Sequence, residues 1–166
     1  MVRVTIELIL YICAMENKKI LNATPTDFQG IHFKSQTEKS VFRFLLNNGY
    51  NPTYESETFV CWEGFTPTVP FFNRRKARGK NYYVNYLNTQ DVAEVTYTPD
   101  IIFVYKDTKV IIEVKGFEND VFPLKRKLFR KYLETLDYPV VFAEIFTLKQ
   151  LREFLAELEN IVNKLP

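Results

Sequence analysis

Two short apolar runs, Ile101 to Tyr105 and Val110 to Val114, constrain this chain more than any other feature. Both are rich in β-branched and aromatic residues, the composition of strands. The spacer between them, Lys106-Asp107-Thr108-Lys109, is short and polar, which predicts a hairpin. With Tyr105 roughly opposite Val110, Asp100 falls at the far end of that hairpin, beside Glu113 to Lys115. Side chains alternate along a strand, so Glu113 and Lys115 share one face and Val114 takes the other. Near-continuous apolar strands are usually buried on both faces, and an ionised carboxylate there costs several kcal/mol unless it is paired or metal-bound.

Two readings of these residues follow. One is a buried Glu113–Lys115 or Asp100–Lys115 ion pair with Asp100 opening the strand. The other is a divalent-metal site, because Mg²⁺ takes hard oxygen ligands and is typically held by one or two carboxylates plus a substrate phosphate. Lys115 would then orient or deprotonate the attacking water, or stabilise charge on the phosphate. A scaffold ion pair seldom repays its desolvation, which favours the metal.

Pro99-Asp100, a spacer of twelve residues and Glu113-Val114-Lys115 resemble the motif of the PD-(D/E)xK nuclease superfamily. The resemblance implies that Asp100 and Glu113 bind catalytic Mg²⁺, with Mn²⁺ as a substitute, and that Lys115 assists phosphodiester hydrolysis. Upstream, Gly30, Phe33, Ser35 and Glu38 are similar to a G-x-x-F-x-S-x-x-E lead-in of small phage-type endodeoxyribonucleases. That similarity implies a catalytic role for Glu38 as a further metal ligand or water-orienting group. Taken alone, Ser35-Gln36-Thr37-Glu38 is a capping box, in which Glu38 needs no other task. Together the two resemblances cover most of Gly30 to Leu133 and imply an α/β fold. Its core would be restriction-endonuclease-like, a central mixed β-sheet flanked by helices.

The bulk of the chain fits that expectation. At 166 residues and 46% hydrophobic content it suits one domain with a substantial core. Aromatics at 16% exclude a disordered tail. We expect an N-terminal arm over 1–29, a catalytic core over 30–150 and a C-terminal helix over 147–166. The net charge of +2 says little about partners, whereas its distribution says more. Cys13 and Cys61 lack metal-ligand or CxxC spacing, which predicts free thiols in a reducing compartment. Val4 to Ala14 is too short to span a bilayer, carries Glu7 and lacks the form of a secretory signal, so a soluble cytoplasmic protein without membrane contact is expected.

Taken in order, Met1 to Met15 reads as a strand or core-packing arm, and Asn17 to Gly30 as turns. His32, the single histidine, is expected to be structural or on the surface. After Ser35 a helix carries Val41, Phe42, Leu45 and Leu46 and ends at Gly49. Thr53 to Trp62 alternates as a strand, and Asn81 to Tyr86 suggests another. Between them Arg74, Arg75, Lys76, Arg78 and Lys80 form a basic cluster near Phe71, Phe72, Tyr82 and Tyr83. It suits a solvated loop or a flap that contacts phosphates, with aromatics to stack on unpaired bases. Phe117 to Phe122 reads as a turn, and Pro123 suits the start of a helix with Leu124, Leu128, Phe129, Tyr132, Leu133 and Leu136 on its apolar face. Lys125, Arg126, Lys127, Arg130 and Lys131 occupy the remainder of that helix, a face suited to DNA. Tyr138 to Phe146 reads as a buried strand parallel to Val110–Val114, with Glu144 at an exposed edge or strand end and outside the site. Thr147 caps a last amphipathic helix.

These residues predict a Mg²⁺-dependent endodeoxyribonuclease that reads DNA structure, since no base-reading element is recognisable. Alternatives are a Holliday-junction resolvase, which would need a homodimer to cut two strands, a non-catalytic DNA-binding module on the same fold, and a restriction-type enzyme. Intact acids and lysine argue against the second, and the missing target-reading segment against the third.

Overall fold

A computed structural model describes residues 24–76, 78–79, 81–88, 90–116 and 122–165. The expectations for Met1 to Met15, for nearly all of the arm over 1–29, for Cys13, for Lys80 and for most of the Phe117–Phe122 turn fall outside those residues, as do the side chains of Arg75 and Lys76.

A first hairpin pairs β1 (Thr26–Phe28) with β2 (Ile31–Phe33) and sets Asp27 opposite His32. His32 Nδ1 lies 2.7 Å from Asp27 Oδ1 on the surface, in keeping with a structural or surface histidine. Helix α1 (Gln36–Asn47) then starts at Ser35, whose hydroxyl accepts the Glu38 N–H at 3.2 Å, and closes through Asn48 and Gly49, the latter at φ +82. Ser35→Ala should cost about 1 kcal/mol of unfolding free energy in urea titration, because it removes this cap. An unchanged midpoint would show that the helix start is held by its packing alone.

The central sheet has strand order β10-β9-β8-β3, with β3 at Thr53–Tyr54, β8 at Ile101–Tyr105, β9 at Thr108–Val114 and β10 at Val140–Ile145. Strands β8 and β9 are antiparallel, β9 and β10 parallel, and β3 antiparallel to β8, so the sheet is mixed. Helix α2 (Phe122–Leu133) connects the two parallel strands, and α3 (Leu148–Val162), capped by Thr147, follows β10. Alternation sends Ile101, Phe103, Val110 and Ile112 to one face against Val41, Phe42 and Leu45 of α1 and Leu151 and Leu158 of α3. Ile102 and Ile111 point the other way, against Phe122 and Phe129 of α2. Each fully buried aliphatic or aromatic side chain contributes roughly 1.5–3 kcal/mol, so the hairpin is anchored on both faces. The expected α/β fold, a central mixed sheet flanked by helices, is present.

Four local expectations need correction. The hairpin turn has two residues, Lys106 and Asp107 at φ 47 and 62, and Tyr105 faces Thr108 instead of Val110. Both central residues take the left-handed region that a two-residue hairpin turn demands. The register therefore shifts by two, an even number that leaves every side chain on its expected face. Second, Thr53 to Trp62 is two strands in different sheets, β3 and β4 (Phe59–Trp62). Glu55 breaks them at φ 44, and its N–H turns to the Asp100 carbonyl at 2.9 Å. Third, the basic cluster is only partly a loop, because Arg74, Arg75 and Lys76 lie on β5 (Phe71–Lys76), paired with β6 (Tyr83–Asn88), while Arg78 stands in the turn that follows. Fourth, Leu124 is exposed on α2, outside its apolar face.

Strand β4 pairs with β7 (Val95–Tyr97), and beyond it Phe65 bridges Val92 before β5 pairs with β6. The described residues between 59 and 97 thus run out from the sheet and back as one antiparallel ribbon. Gly64 sits where the strands crowd, since a Cβ there would stand 2.8 Å from the Val92 carbonyl oxygen. Among the described residues no helix is long and apolar enough to cross a membrane.

Candidate metal and acid centre

The hairpin register places Asp100, which immediately precedes β8, opposite Glu113. The parallel pairing of β9 with β10 places Glu144 beside Glu113 on its other side. Three carboxylates therefore form a row across adjacent strands, on the face that packs against α2. Asp100 and Glu113 are buried and Glu144 is half-buried. Sequence reasoning left Glu144 out, expecting an exposed edge or strand end; the structure gives it a neighbour in Glu113 and a partner in α2.

Each acid has a different partner. Asp100 Oδ2 accepts the Val114 N–H at 2.7 Å. Glu113 Oε1 lies 2.5 Å from Lys115 Nζ, which sits 3.5 Å from the Phe122 ring centroid. Glu144 Oε2 accepts from Arg126 at 2.9 Å. Glu113 Oε2 and the Tyr97 hydroxyl are both buried without a hydrogen bond of good geometry among the described residues, although the phenol and the Glu113 carboxylate interact with each other. Tyr97 stacks on Phe129 with centroids 4.1 Å apart, which fixes its ring beside the acids.

Burial, then the charge of Glu113, pushes the Asp100 carboxyl up to about 8. The Glu113 carboxyl is also raised, first by burial, although Lys115 pulls against it. Burial likewise lifts the Tyr97 phenol, helped by the adjacent Glu113. Two carboxylates held together in low dielectric resist joint ionisation, and a cation between them would remove that resistance.

Glu38 is buried on α1 and well supplied with donors. Its Oε1 accepts from Ser35 Oγ at 2.8 Å, and its Oε2 from the Lys34 N–H at 3.0 Å and the Tyr54 hydroxyl at 2.6 Å. It thereby ties the start of α1 to β3, and its charge still contributes to raising Asp100. Lys34 in turn pairs with Glu55. Among the described residues no group of three or more His, Cys, Asp or Glu is arranged to hold a metal ion. The structure brings Asp100, Glu113 and Lys115 together and leaves Glu38 within electrostatic reach, engaged elsewhere.

The donor set suits a hard divalent cation. Two acid side chains stand at facing strand positions, and one buried carboxylate oxygen has no hydrogen bond of good geometry among the described residues. The same geometry also contains the Glu113–Lys115 ion pair that the sequence offered as the structural alternative. That single ammonium faces two buried acids, and both carboxyls remain raised despite it, so the pair does not by itself repay the burial.

Of the basic residues, Lys125, Lys127, Arg130 and Lys131 are exposed on α2, while Arg126 turns inward to Glu144. Lys125 Nζ donates to the Thr96 carbonyl at 3.3 Å, which links α2 to the base of the ribbon. A surface groove lined by Arg126, Lys127, Arg130, Phe142 and Glu144 opens at the end of the acidic row. On the ribbon, Arg74 and Arg78 are exposed. Sequence reasoning also missed Tyr97 and Tyr54; Tyr97, three residues before Asp100, is the one whose position could have suggested a role. No protein family, curated protein or solved structure matches this chain.

Proposed function

We propose that the chain is a metal-dependent endodeoxyribonuclease of the PD-(D/E)xK type. One observation carries the reading: Asp100 and Glu113 are buried face to face, with both carboxyls raised by burial. A scaffold has no use for that arrangement, whereas a divalent cation would satisfy it.

Asp100 and Glu113 would hold Mg²⁺, or Mn²⁺ in its place, with Glu38 as a further ligand or water-orienting group through the remaining lone pair of its Oε1. When bound, the ion supplies a Lewis acid to the phosphodiester and its attacking water. Lys115 is held by Glu113 and Phe122 at the edge of this pair, where its ammonium can orient that water and counter charge on the phosphate. A water oxygen forms the new bond to phosphorus while the bond to the 3′-oxygen breaks. The products are a 5′-phosphate and a 3′-hydroxyl that has taken up a proton. Lys125, Lys127, Arg130 and Lys131 supply sequence-independent affinity for the DNA backbone.

Incubation of the purified chain with linear duplex, single-stranded, forked and four-way DNA should give cleavage with Mg²⁺ or Mn²⁺ and none with EDTA. All forms surviving intact in both metals would end the proposal.

A further inference from the structure

The ribbon between β4 and β7 has a use that neither the acidic row nor the core explains. From Gly64 to Gln90 it holds five Lys and Arg residues and no Asp or Glu. In the β5–β6 register Phe72 faces Leu87, and the two are 68% and 60% exposed. Phe71, one residue earlier and on the opposite face by strand alternation, is 57% exposed. Trp62, Phe65 and Tyr82 are exposed on the same ribbon. A two-stranded hairpin is marginal alone, and so much uncovered apolar surface on both of its faces marks a binding element.

Charge decides between occupants. A second copy of the β5–β6 hairpin laid against the first in a twofold contact would oppose cations to cations, and the ribbon's acids, Glu63, Asp91 and Glu94, lie outside that hairpin, toward β4 and β7. A polyanion relieves them, and bases offer flat apolar faces to the aromatics. Paired bases keep those faces stacked inside the duplex and unpaired bases do not. Position agrees: the ribbon returns through Tyr97, beside Glu113, three residues before Asp100.

We propose that the ribbon binds DNA with unpaired bases and works as a wedge at a fork, Phe72 and Leu87 receiving bases of one strand and Phe71 those of the other. The inference rests on the nuclease reading only for where the bound strand leads, to Asp100 and Glu113. It names the substrate class as DNA containing a junction between duplex and single strands.

The test is binding of the full chain in EDTA, so that nothing is cut, measured by fluorescence anisotropy on a forked DNA and on a blunt duplex of equal length. Replacing Phe71 and Phe72 together by Ala should weaken fork binding roughly ten- to a hundredfold, with duplex binding changed less than about threefold. Both side chains are exposed, so the urea midpoint should stay put. As a second reading, Phe72→Trp combined with Trp62→Phe, which makes position 72 the sole tryptophan, should give emission that is quenched by the fork and unaffected by the duplex. Equal losses on both DNAs, no loss on the fork, or no quenching would overturn the inference. So would a parent dimer that becomes monomeric in the Ala variant, which would assign the ribbon to a second copy. A parent that binds forks through the ribbon and cuts no DNA leaves this inference standing and defeats the nuclease. Cleavage by a parent whose fork binding ignores both substitutions does the reverse.

Discussion

Asp100→Asn is expected to reduce Mg²⁺-dependent DNA cleavage by roughly a thousandfold or more while leaving a folded protein that still binds forked DNA. The change is nearly isosteric, and the Asn carbonyl oxygen can still accept the Val114 N–H that Asp100 Oδ2 accepts at 2.7 Å. What disappears is a charge, one of the two that would hold the ion. The phosphate-binding residues of α2 and the ribbon are untouched, so fork affinity in EDTA should remain within about threefold of the parent. Glu113→Gln is expected to lose activity similarly, because it removes the second of the two buried, facing carboxylates. Gel assays of cleavage paired with anisotropy of binding separate the two effects. Undiminished cutting by Asp100→Asn would remove Asp100 from the chemistry.

Stability should fall with rising pH in the metal-free parent and recover when Mg²⁺ or Mn²⁺ is added. Asp100 has a folded-state carboxyl raised to about 8 from its ordinary value of 3.8, chiefly by burial and then by Glu113. Between those two values the folded chain keeps a proton that the unfolded chain has released, so unfolding free energy declines as pH rises through that window. Below about pH 4 both states are protonated and the penalty vanishes. Above about pH 8 both are ionised and it is fully present. Glu113 adds to it in the same direction. Each pKa unit is about 1.4 kcal/mol, so the decline amounts to several kcal/mol. Asp100→Asn removes this slope, and at pH 8 the variant should exceed the metal-free parent by roughly 2–4 kcal/mol, about 5–15 °C in Tm. Metal at ten times its dissociation constant should add about 1.4 kcal/mol to the parent and much less to the variant. Thermal melts in EDTA and in each metal, from pH 5 to 8.5, read both effects. A parent whose Tm is flat over that range, and unmoved by metal, would mean that the acids are already neutralised by their protein partners.

Much of the scaffold was legible because it rests on local rules. Ser35 and Thr147 cap helices with their own hydroxyls, and each N–H they accept comes from three residues ahead. Val41, Phe42 and Leu45 follow at helical spacing, and Ile101 to Phe103 are apolar without interruption because both faces of β8 are covered. The order of strand, helix and strand after Val110 predicted the parallel pairing of β9 with β10. The turn was harder to read. Lys106 and Asp107 take positive φ with no glycine to announce it, so four residues suggested a loop where two sufficed. The ribbon was hardest, because its strands are stabilised by partners far along the chain. Phe71 pairs with Asn88 and Phe65 with Val92, and the cations among them suggested solvent exposure more than strand structure.

Sequence alone determined that charge sits where an apolar hairpin ends, since Asp100, Glu113 and Lys115 are separated by residues that must go inside. It determined the faces as well, because alternation survives a register error of two. Only the tertiary structure decided which charges meet. Glu144 joins Asp100 and Glu113 because the register of β10 on β9 sets it opposite Glu113, and the strand-helix-strand order that predicted the pairing does not encode its register. Glu38 takes local hydrogen bonds from Ser35 and the Lys34 N–H at the start of α1, but the one from the Tyr54 hydroxyl exists only once β3 lies next to α1. Alternation and capping are properties of a few consecutive residues, whereas desolvation and charge coupling arise only when distant segments exclude water together.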